Sequence, residues 1–410
     1  MKKISRRHII KISAAAAAVG AVAGPMRAVR AQAPKSIRLG YAISLNGPFA
    51  PGAGITTLPN YRLWVHDVNA RGGIMVKEFG KRIPIEVIAE YDDGSSQENA
   101  IRLTEKLMTE DKADFVLPPW GTGMSLAVAP VYRKHSHSQL AVTAVTNGQA
   151  DLVKRFPTLF FFLGASSDAA QALVGAVAKL KTAGKINNKV ALLSVADQFG
   201  VELRAAAVPA FKSAGFELSV DKTYPLTTQD LSNELKEARA SGADSLIAFS
   251  YPPDTFMLTG TAQGLGYNSK LFYTAVGTAF AQFKGKFGAK LEGQLGIGGF
   301  DPSVAGVQDY FKRSVEVTKA TPDRWAGPVT YASLQCLEQA IEAAGSLDRK
   351  KVHAALRGTS FKTIVGDIDL KTQIRGRQFW VGQWQKGEFV GVEPADMLGA
   401  SAMTFPKPPW

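Results

Sequence analysis

Short β-rich runs alternate with helical patterns along most of this chain, and this alternation constrains the fold more than any other feature. In the first part of the sequence, apolar runs lie at residues 36–43, 83–91 and 113–118, and helical patterns follow the first two. Strands that alternate with helices form βαβ units, whose strands lie parallel in one sheet. The sequence therefore predicts an α/β fold built on parallel sheets.

The same layout occurs a second time further along the chain. Further β-rich runs lie at residues 188–197, 217–224, 243–249 and 270–275, again with helical patterns between them. A length of 410 residues, of which 46% are hydrophobic, is sufficient for two domains with separate cores. We therefore expect two lobes, each a doubly wound parallel sheet.

Two other segments have a clear local pattern. Residues 378–392 alternate in polarity, which predicts a β-hairpin with its turn at Lys386 and Gly387. Residues 44–54 ("SLNGPFAPGAG") are rich in Gly and Pro. They are expected to form a long loop at the carboxyl end of a strand, before a helix that begins near Thr57.

The amino terminus has the features of an export signal. The stretch "SRRHIIK" precedes an apolar run at residues 12–23, which is shorter than the roughly 20 residues needed to cross a bilayer. Arg6 and Arg7 resemble the pair of a twin-arginine signal, although isoleucines replace its usual Phe-Leu. We predict a cleaved signal over residues 1–31 and a mature protein in the periplasm, with the cleaved bond itself left open.

The charge distribution argues against a nucleic-acid partner, and the cysteine content argues against an intramolecular disulfide. The leader carries seven Lys or Arg and no acid, which is about half of the formal net charge of +13. The remaining basic residues are spread along the chain, so no nucleic-acid groove is expected. The single cysteine, Cys336, has no partner for an intramolecular disulfide and lies on a helical pattern, which favours a buried structural thiol.

Five stretches carry a resemblance to a known family when they are taken in this order and at these spacings. The chain resembles the periplasmic solute-binding proteins of the leucine/isoleucine/valine type, which serve ABC importers. This resemblance covers nearly the whole mature chain. The stretches are "LNGPFAPGAG" (45–54), "VNARGGI" (68–74), "AEYDDGSSQENAIRLTEKLM" (89–108), "DQFG" (197–200) and "SYPPDTF" (250–256).

The resemblance implies a type I periplasmic binding fold, in which two lobes are joined by a three-segment hinge and close on a solute. We expect lobe 1 to comprise residues 34–163 and 300–359, and lobe 2 residues 164–299 and 360–410. The partners implied are a small organic solute and the permease subunits of an ABC importer, and we expect a monomer. A sensing domain that signals to a membrane receptor would bind its solute by the same chemistry and remains an alternative.

One strand end stands out as a binding place from its residues alone. In "VLPPWGTG" (116–123) an apolar strand runs into Trp120, Gly121 and Thr122. Ligands of open α/β sheets bind beyond the carboxyl ends of the strands, where glycines permit close approach and helix N–H groups point outward. Thr122 would then bind a carboxylate or amide oxygen while Trp120 stacks on the solute. In the alternative interpretation, Trp120 fills the core and Thr122 caps the helix.

The resemblance assigns further positions around that place. Thr122 matches the family's carboxylate-binding hydroxyl, and "TAVTNG" (143–148) matches the second ligand loop, in which we select Thr146 and Asn147. Phe199 and Tyr251 match aromatic residues that close over the solute from the second lobe.

A departure from the family bears on the solute. Members that bind α-amino acids present an acid to the ammonium after the next strand, where this chain has Val276. An unpaired buried ammonium would cost several kcal/mol. Asp254 is the one nearby acid that could replace the missing one. We therefore expect a small carboxylate, an aromatic acid or an amide more than a free amino acid, and the identity of the solute stays open.

Signatures of an enzyme are weak in this sequence. It contains no G-x-G-x-x-G after a strand, no P-loop, no G-x-S-x-G and no H-E-x-x-H. The pair Asp92 and Asp93 is expected to belong to loop structure, and the histidines of "HSH" (135–137) to a solvated helix end rather than a metal site. We predict a binding protein without catalytic residues, cofactor or metal, with a secreted hydrolase as the remaining alternative.

Overall fold

The computed structural model describes residues 32–301, 303, 304 and 306–410. The predicted export signal at residues 1–31 lies outside the described residues. Residues 34–410 form one compact unit. Among the described residues, no helix combines the length and the apolar content needed to span a membrane.

The first part of the chain alternates strands and helices. Its elements are β1 (Ile37–Ile43), α1 (Ala50–Thr56), α2 (Leu58–Ala70), β2 (Ile74–Val76), β3 (Lys81–Ile83), β4 (Ile85–Asp92), α3 (Gln97–Thr109), β5 (Phe115–Leu117), α4 (Thr122–Lys134), β6 (Gln139–Ala141), α5 (Gln149–Arg155) and β7 (Leu159–Phe161). The predicted loop at residues 44–54 is wrong in its second half, where α1 begins at Ala50.

The second part repeats this alternation, and a third part adds helices and hairpins. The elements are α6 (Ser166–Thr182), β8 (Lys189–Val195), α7 (Gln198–Ser213), β9 (Glu217–Tyr224), α8 (Ser232–Ala240), β10 (Ser245–Phe249), α9 (Pro252–Gly264), β11 (Leu271–Thr274), α10 (Ala281–Phe287), β12 (Leu295–Ile297), α11 (Val307–Thr318), α12 (Ala326–Ala344), α13 (Arg349–Gly358), β13 (Ser360–Thr363), β14 (Gly366–Asp369), β15 (Val381–Gln385) and β16 (Glu388–Glu393).

Two sheets organise these elements. The first has the strand order β4-β1-β5 and is parallel. The second has the order β16-β15-β12-β11-β10-β8-β9, parallel from β12 to β9, with the hairpin β15-β16 added antiparallel at one edge. The parallel pair β6-β7 lies apart from both sheets in strand pairing. The predicted α/β architecture and the hairpin turn at Lys386 and Gly387 are confirmed, whereas the lobe boundaries stay a prediction.

The central strands are buried along their whole length, as parallel strands covered by helices on both faces must be. Strands β8 and β10 carry apolar runs without polar alternation, and nearly every residue in them is buried. Their carboxyl ends open into loops that lead to the amino termini of α7 and α9. The same order of strand, loop and helix recurs at β5 and α4, and these strand ends position the residues described below.

Candidate functional site

A small pocket lies where the carboxyl ends of β5, β6, β8, β10 and β11 meet. This is the place at which open α/β sheets bind ligands. The residues that line it are Thr56, Trp120, Gly121, Thr122, Thr143, Val145, Leu163, Phe199, Tyr251, Val276, Trp325 and Ala326. Five of the eight predicted site residues are therefore brought together: Trp120, Gly121, Thr122, Phe199 and Tyr251.

A left-handed glycine turns the chain from β5 into α4. Gly121 has φ +98° and ψ 156°, a conformation that residues with a Cβ rarely adopt, and it occupies the N-cap of α4. Its N–H donates to Thr143 Oγ1 at 2.8 Å. This amide is thus used to fix the loop after β6, and the donors left for a solute are those of the following residues.

Thr122 presents a hydroxyl and the first turn of α4 to the pocket. Its Oγ1 accepts a hydrogen bond from the N–H of Val145 at 3.1 Å, which leaves its own O–H free to donate. The first intrahelical bond runs from Ser125 N–H to the carbonyl of Gly121, so the N–H groups of Thr122, Gly123 and Met124 have no intrahelical acceptor. An amino terminus with these donors favours a negatively charged oxygen.

Aromatic rings form one wall of the pocket. Tyr251 contacts Trp120, Phe49 and Phe199, with ring centroids 5.4, 5.5 and 5.2 Å from its own. The Trp120 indole donates to Thr56 Oγ1 at 2.8 Å. Because the indole N–H of Trp120 already has an acceptor within the protein, this wall offers a solute mainly apolar ring surface.

Tyr251 also joins two helix amino termini. Its hydroxyl donates to Asp197 Oδ2 at 2.7 Å, and the same carboxylate caps α7 through the N–H of Phe199. Burial, followed by the charge of Asp197, raises the pKa of Tyr251 well above its ordinary value, so the phenol stays protonated and donates. The carboxylate of Asp197 is thereby held by protein groups at the edge of the pocket.

The rest of the lining is apolar. Leu163, Val276 and Ala326 contribute aliphatic surface, and Trp325 adds a second indole. Val276 therefore lies in the pocket, where the resemblance placed it. None of the described lining residues is Asp, Glu, His, Lys or Arg, so the polar groups consist of threonine hydroxyls, backbone amides, the Tyr251 phenol and the indoles.

Asp254 was predicted to reach the solute, but it does not line the pocket. Its Oδ2 accepts from the N–H of Tyr251 at 3.1 Å and from the hydroxyl of Tyr224 at 3.3 Å, which closes a capping box at the start of α9. Burial raises the pKa of its carboxyl to about 6. The residue fixes the backbone that carries Tyr251.

Thr146 and Asn147 also lie outside the pocket lining. Thr146 Oγ1 donates to Glu202 Oε1 at 2.9 Å, and the N–H of Asn147 is 3.4 Å from Glu202 Oε2. Glu202 belongs to α7, which follows a strand of the larger sheet. These two residues thus connect the loop after β6 to α7, whereas Thr143 and Val145 of the same loop reach the pocket.

Sequence reasoning missed several lining residues. Thr143 and Val145 stood in the loop selected from the resemblance, so a shift along that loop would have found them. Thr56 lies between the predicted loop at residues 44–54 and the helix predicted to begin near Thr57. Trp325 lies between α11 and α12, and no local sequence motif predicts that it reaches the pocket.

The two acids considered for catalysis have structural partners. Asp92, the last residue of β4, accepts from the N–H groups of Leu45 and Gly94, and Asp93 accepts from the hydroxyl of Ser44. The expected loop position is therefore confirmed for Asp93 and wrong for Asp92, which ends the strand. Burial raises the pKa of the Cys336 thiol. Within the described residues, no group of three or more His, Cys, Asp or Glu side chains could hold a metal ion.

Two families match this sequence. Residues 36–388 match the family described as periplasmic binding protein, and residues 3–23 match the twin-arginine translocation pathway signal sequence. Leu/Ile/Val-binding protein homolog 7 of Brucella abortus (strain 2308) is 22% identical over 419 residues, which cover 98% of this chain and 100% of that protein.

Solved structures share the fold. The branched-chain amino acid transporter substrate binding protein of Streptococcus pneumoniae, in complex with isoleucine, has a TM-score of 0.75 at 18% identity and covers 88% of this chain and 100% of that chain. The solute binding protein of an ABC transporter from R. palustris, in complex with benzoate, has a TM-score of 0.74 at 20% identity, with coverage of 90% and 98%. The predicted type I periplasmic binding fold is confirmed.

Proposed function

Because the chain belongs to the periplasmic binding protein family and is exported to the periplasm by a twin-arginine signal, we propose that it captures a small aromatic carboxylate and delivers it to an ABC-type permease. The observation that carries this proposal is an uncharged pocket, lined by four aromatic side chains, that faces the amino-terminal turn of α4. The donors at Thr122 suit a carboxylate, and the rings of Trp120, Phe199 and Tyr251 suit a flat apolar body.

The pocket disfavours a free α-amino acid. An ammonium buried against Val276 would lose its hydration without gaining a carboxylate, which costs several kcal/mol. Micromolar affinity amounts to about 8 kcal/mol, so this loss would remove much of it. Asp197 lies at the edge and does not line the pocket, and its Oδ2 accepts from Tyr251 and Phe199.

The two structural neighbours bind ligands that differ in whether they carry an ammonium group. The R. palustris protein holds benzoate, and the S. pneumoniae protein holds isoleucine. Both ligands present a carboxylate, but only isoleucine carries an ammonium as well. The uncharged lining of this pocket favours the first kind of solute.

A ligand screen by thermal unfolding and calorimetry tests the proposal. Benzoate and substituted benzoates should raise the unfolding temperature of the mature protein, because a ligand that binds only the folded state stabilises it by mass action. Leucine, succinate and benzamide, tested at the same concentrations, should have small effects. Tight binding of leucine, with no response to any aromatic acid, would contradict the proposed solute.

Delivery would proceed by hinged closure. The solute docks on the lobe that carries Thr122, and contacts from Phe199 and Tyr251 of the other lobe then favour the closed state, which the permease recognises. Small-angle scattering should therefore show a more compact envelope once benzoate is bound. An unchanged envelope with a proven ligand would exclude this mechanism.

We expect Glu202→Ala to weaken the binding of aromatic acid by about tenfold. Glu202 accepts hydrogen bonds from Thr146 and Asn147 of the loop after β6, and these bonds would form only in the closed state. Because they form late, the loss should lie in the dissociation rate more than in the association rate. Stopped-flow fluorescence of the pocket tryptophans measures both rates.

A matched control is Glu217→Ala, which removes an exposed acid from β9. It should leave both rates unchanged. If Glu202→Ala binds with wild-type kinetics, this contact does not favour the closed state.

A further inference from the structure

Trp325 occupies a fixed place in the pocket wall. It immediately precedes α12 and is only 5% exposed. A Cβ at Gly298 would lie 2.2 Å from its ring, so the indole packs directly on that glycine. Asp323 Oδ2 accepts from the N–H groups of Trp325 and Ala326 at 3.0 and 2.8 Å, which holds the backbone beneath it.

The indole nitrogen of Trp325 has no hydrogen-bond partner among the described residues, although it is buried. Other buried tryptophans differ in this respect. Trp120 donates to Thr56 Oγ1, and Trp384 donates to the carbonyl of Thr278, each at 2.8 Å. A buried donor without an acceptor destabilises a protein, so such a group calls for an explanation.

A neighbouring space does not supply the acceptor. Trp325 also borders a second cavity of about 490 Å³, whose lining includes Asp301 and Gln378. Asp301 Oδ1 accepts from Ser303, and Gln378 Oε1 accepts from Arg375 at 2.8 Å. The indole nitrogen bonds to neither residue, and the solute pocket is the other space that Trp325 lines, so a solute there could supply its acceptor.

Resting on the proposed function, we propose that the aromatic acid carries a second oxygen on its ring, which accepts a hydrogen bond from Trp325 Nε1. The substrate class is thus a ring-oxygenated benzoate, such as a hydroxybenzoate. Its carboxylate binds the first turn of α4 and its ring oxygen binds the indole. A site with a buried donor discriminates against analogues that leave the donor unpaired, so this residue determines specificity.

The wild-type protein gives the first test. Titration calorimetry should compare ortho-, meta- and para-hydroxybenzoate with the corresponding methylbenzoates, which have nearly the same shape but no acceptor. At one ring position the hydroxyl compound should bind about tenfold more tightly than its methyl counterpart. If benzoate binds but no position prefers the hydroxyl, the inference is overturned while the proposed function stands. If no aromatic acid binds, the proposed function itself fails.

The Trp325→Phe variant assigns the preference to this indole. In this variant the ratio of the hydroxybenzoate affinity to the methylbenzoate affinity should fall to about one, whatever the change in its affinity for benzoate itself. Trp384→Phe removes an indole that already has an acceptor and does not line the pocket, so it should keep the preference. A preference retained in Trp325→Phe would contradict the inference.

Nuclear magnetic resonance of the wild type gives a readout that does not depend on the variant's folding. The chain has six tryptophans, so the indole N–H region of the spectrum is sparse. On binding of the preferred hydroxybenzoate, the signal of Trp325 should shift downfield and exchange more slowly with solvent. The matching methylbenzoate should produce neither change, and equal changes with both ligands would overturn the inference.

Discussion

Replacing Thr122 by alanine is expected to weaken the binding of aromatic carboxylate by about 1–3 kcal/mol, which corresponds to about fivefold to 150-fold in affinity. The hydroxyl accepts from Val145 N–H and keeps its own proton for the solute, in the same turn as the free N–H groups of α4. Its loss therefore removes a donor to the carboxylate. Titration calorimetry with benzoate measures the effect.

Two companion variants separate this loss from a change in folding. Thr122→Ser keeps the hydroxyl and should bind nearly as the wild type does. Thr122→Val keeps the shape without the hydroxyl and should resemble Thr122→Ala in binding. Both nonpolar variants also leave the N–H of Val145 without its acceptor, so their free energy of unfolding should fall as well. Wild-type affinity in Thr122→Ala would move the carboxylate site elsewhere.

The fold could be predicted from the sequence because its strands are buried on both faces. Such strands read as uninterrupted apolar runs, and those at residues 188–197 and 243–249 correspond to β8 and β10. The helix α1 was missed because "APGAGIT" contains two glycines and a proline, which disfavour helix on propensity alone. Tertiary packing overrides that propensity, since α1 places Thr56 against the indole of Trp120.

Three of the predicted residues that line the pocket came from a local signal. Trp120, Gly121 and Thr122 follow a strand directly, so the chemistry of one loop was sufficient to select them. In the loop after β6, the sequence did not distinguish Thr143 from Thr146 as the residue that reaches the pocket. Both are threonines, and only the folded backbone determines where each side chain points. One reaches the pocket and the other reaches Glu202.

The roles of two residues, Asp254 and Trp325, could not be predicted from their positions in the sequence. Asp254 looked suited to an amine because it is an acid near a ligand loop, but its place at the start of α9 makes it a cap. Trp325 belongs to a segment that joins the pocket only after the chain has folded. Its indole nitrogen became informative once its surroundings showed that no described residue accepts from it.

Gly52→Ala should affect binding without changing any residue that lines the pocket. Gly52 is buried in α1, and a Cβ there would lie 2.2 Å from Trp120 Cζ2, which is far inside contact distance. The indole would have to leave its position against Phe49 and Tyr251. We expect overpacking to lower the free energy of unfolding by about 1–3 kcal/mol, although alanine is the better helix former. Affinity for benzoate should fall because the aromatic wall is displaced.

Gly54→Ala is the matched control, because it makes the same change in the same helix. A Cβ at Gly54 meets nothing within 4 Å, and the residue is exposed. This variant should be as stable as the wild type or more stable by up to about 1 kcal/mol, with unchanged affinity. Urea denaturation and titration calorimetry on both variants give the comparison. If Gly52→Ala loses stability but binds benzoate as tightly as Gly54→Ala does, the ring of Trp120 fills the core and does not contact the solute, and the alternative interpretation of its role is correct.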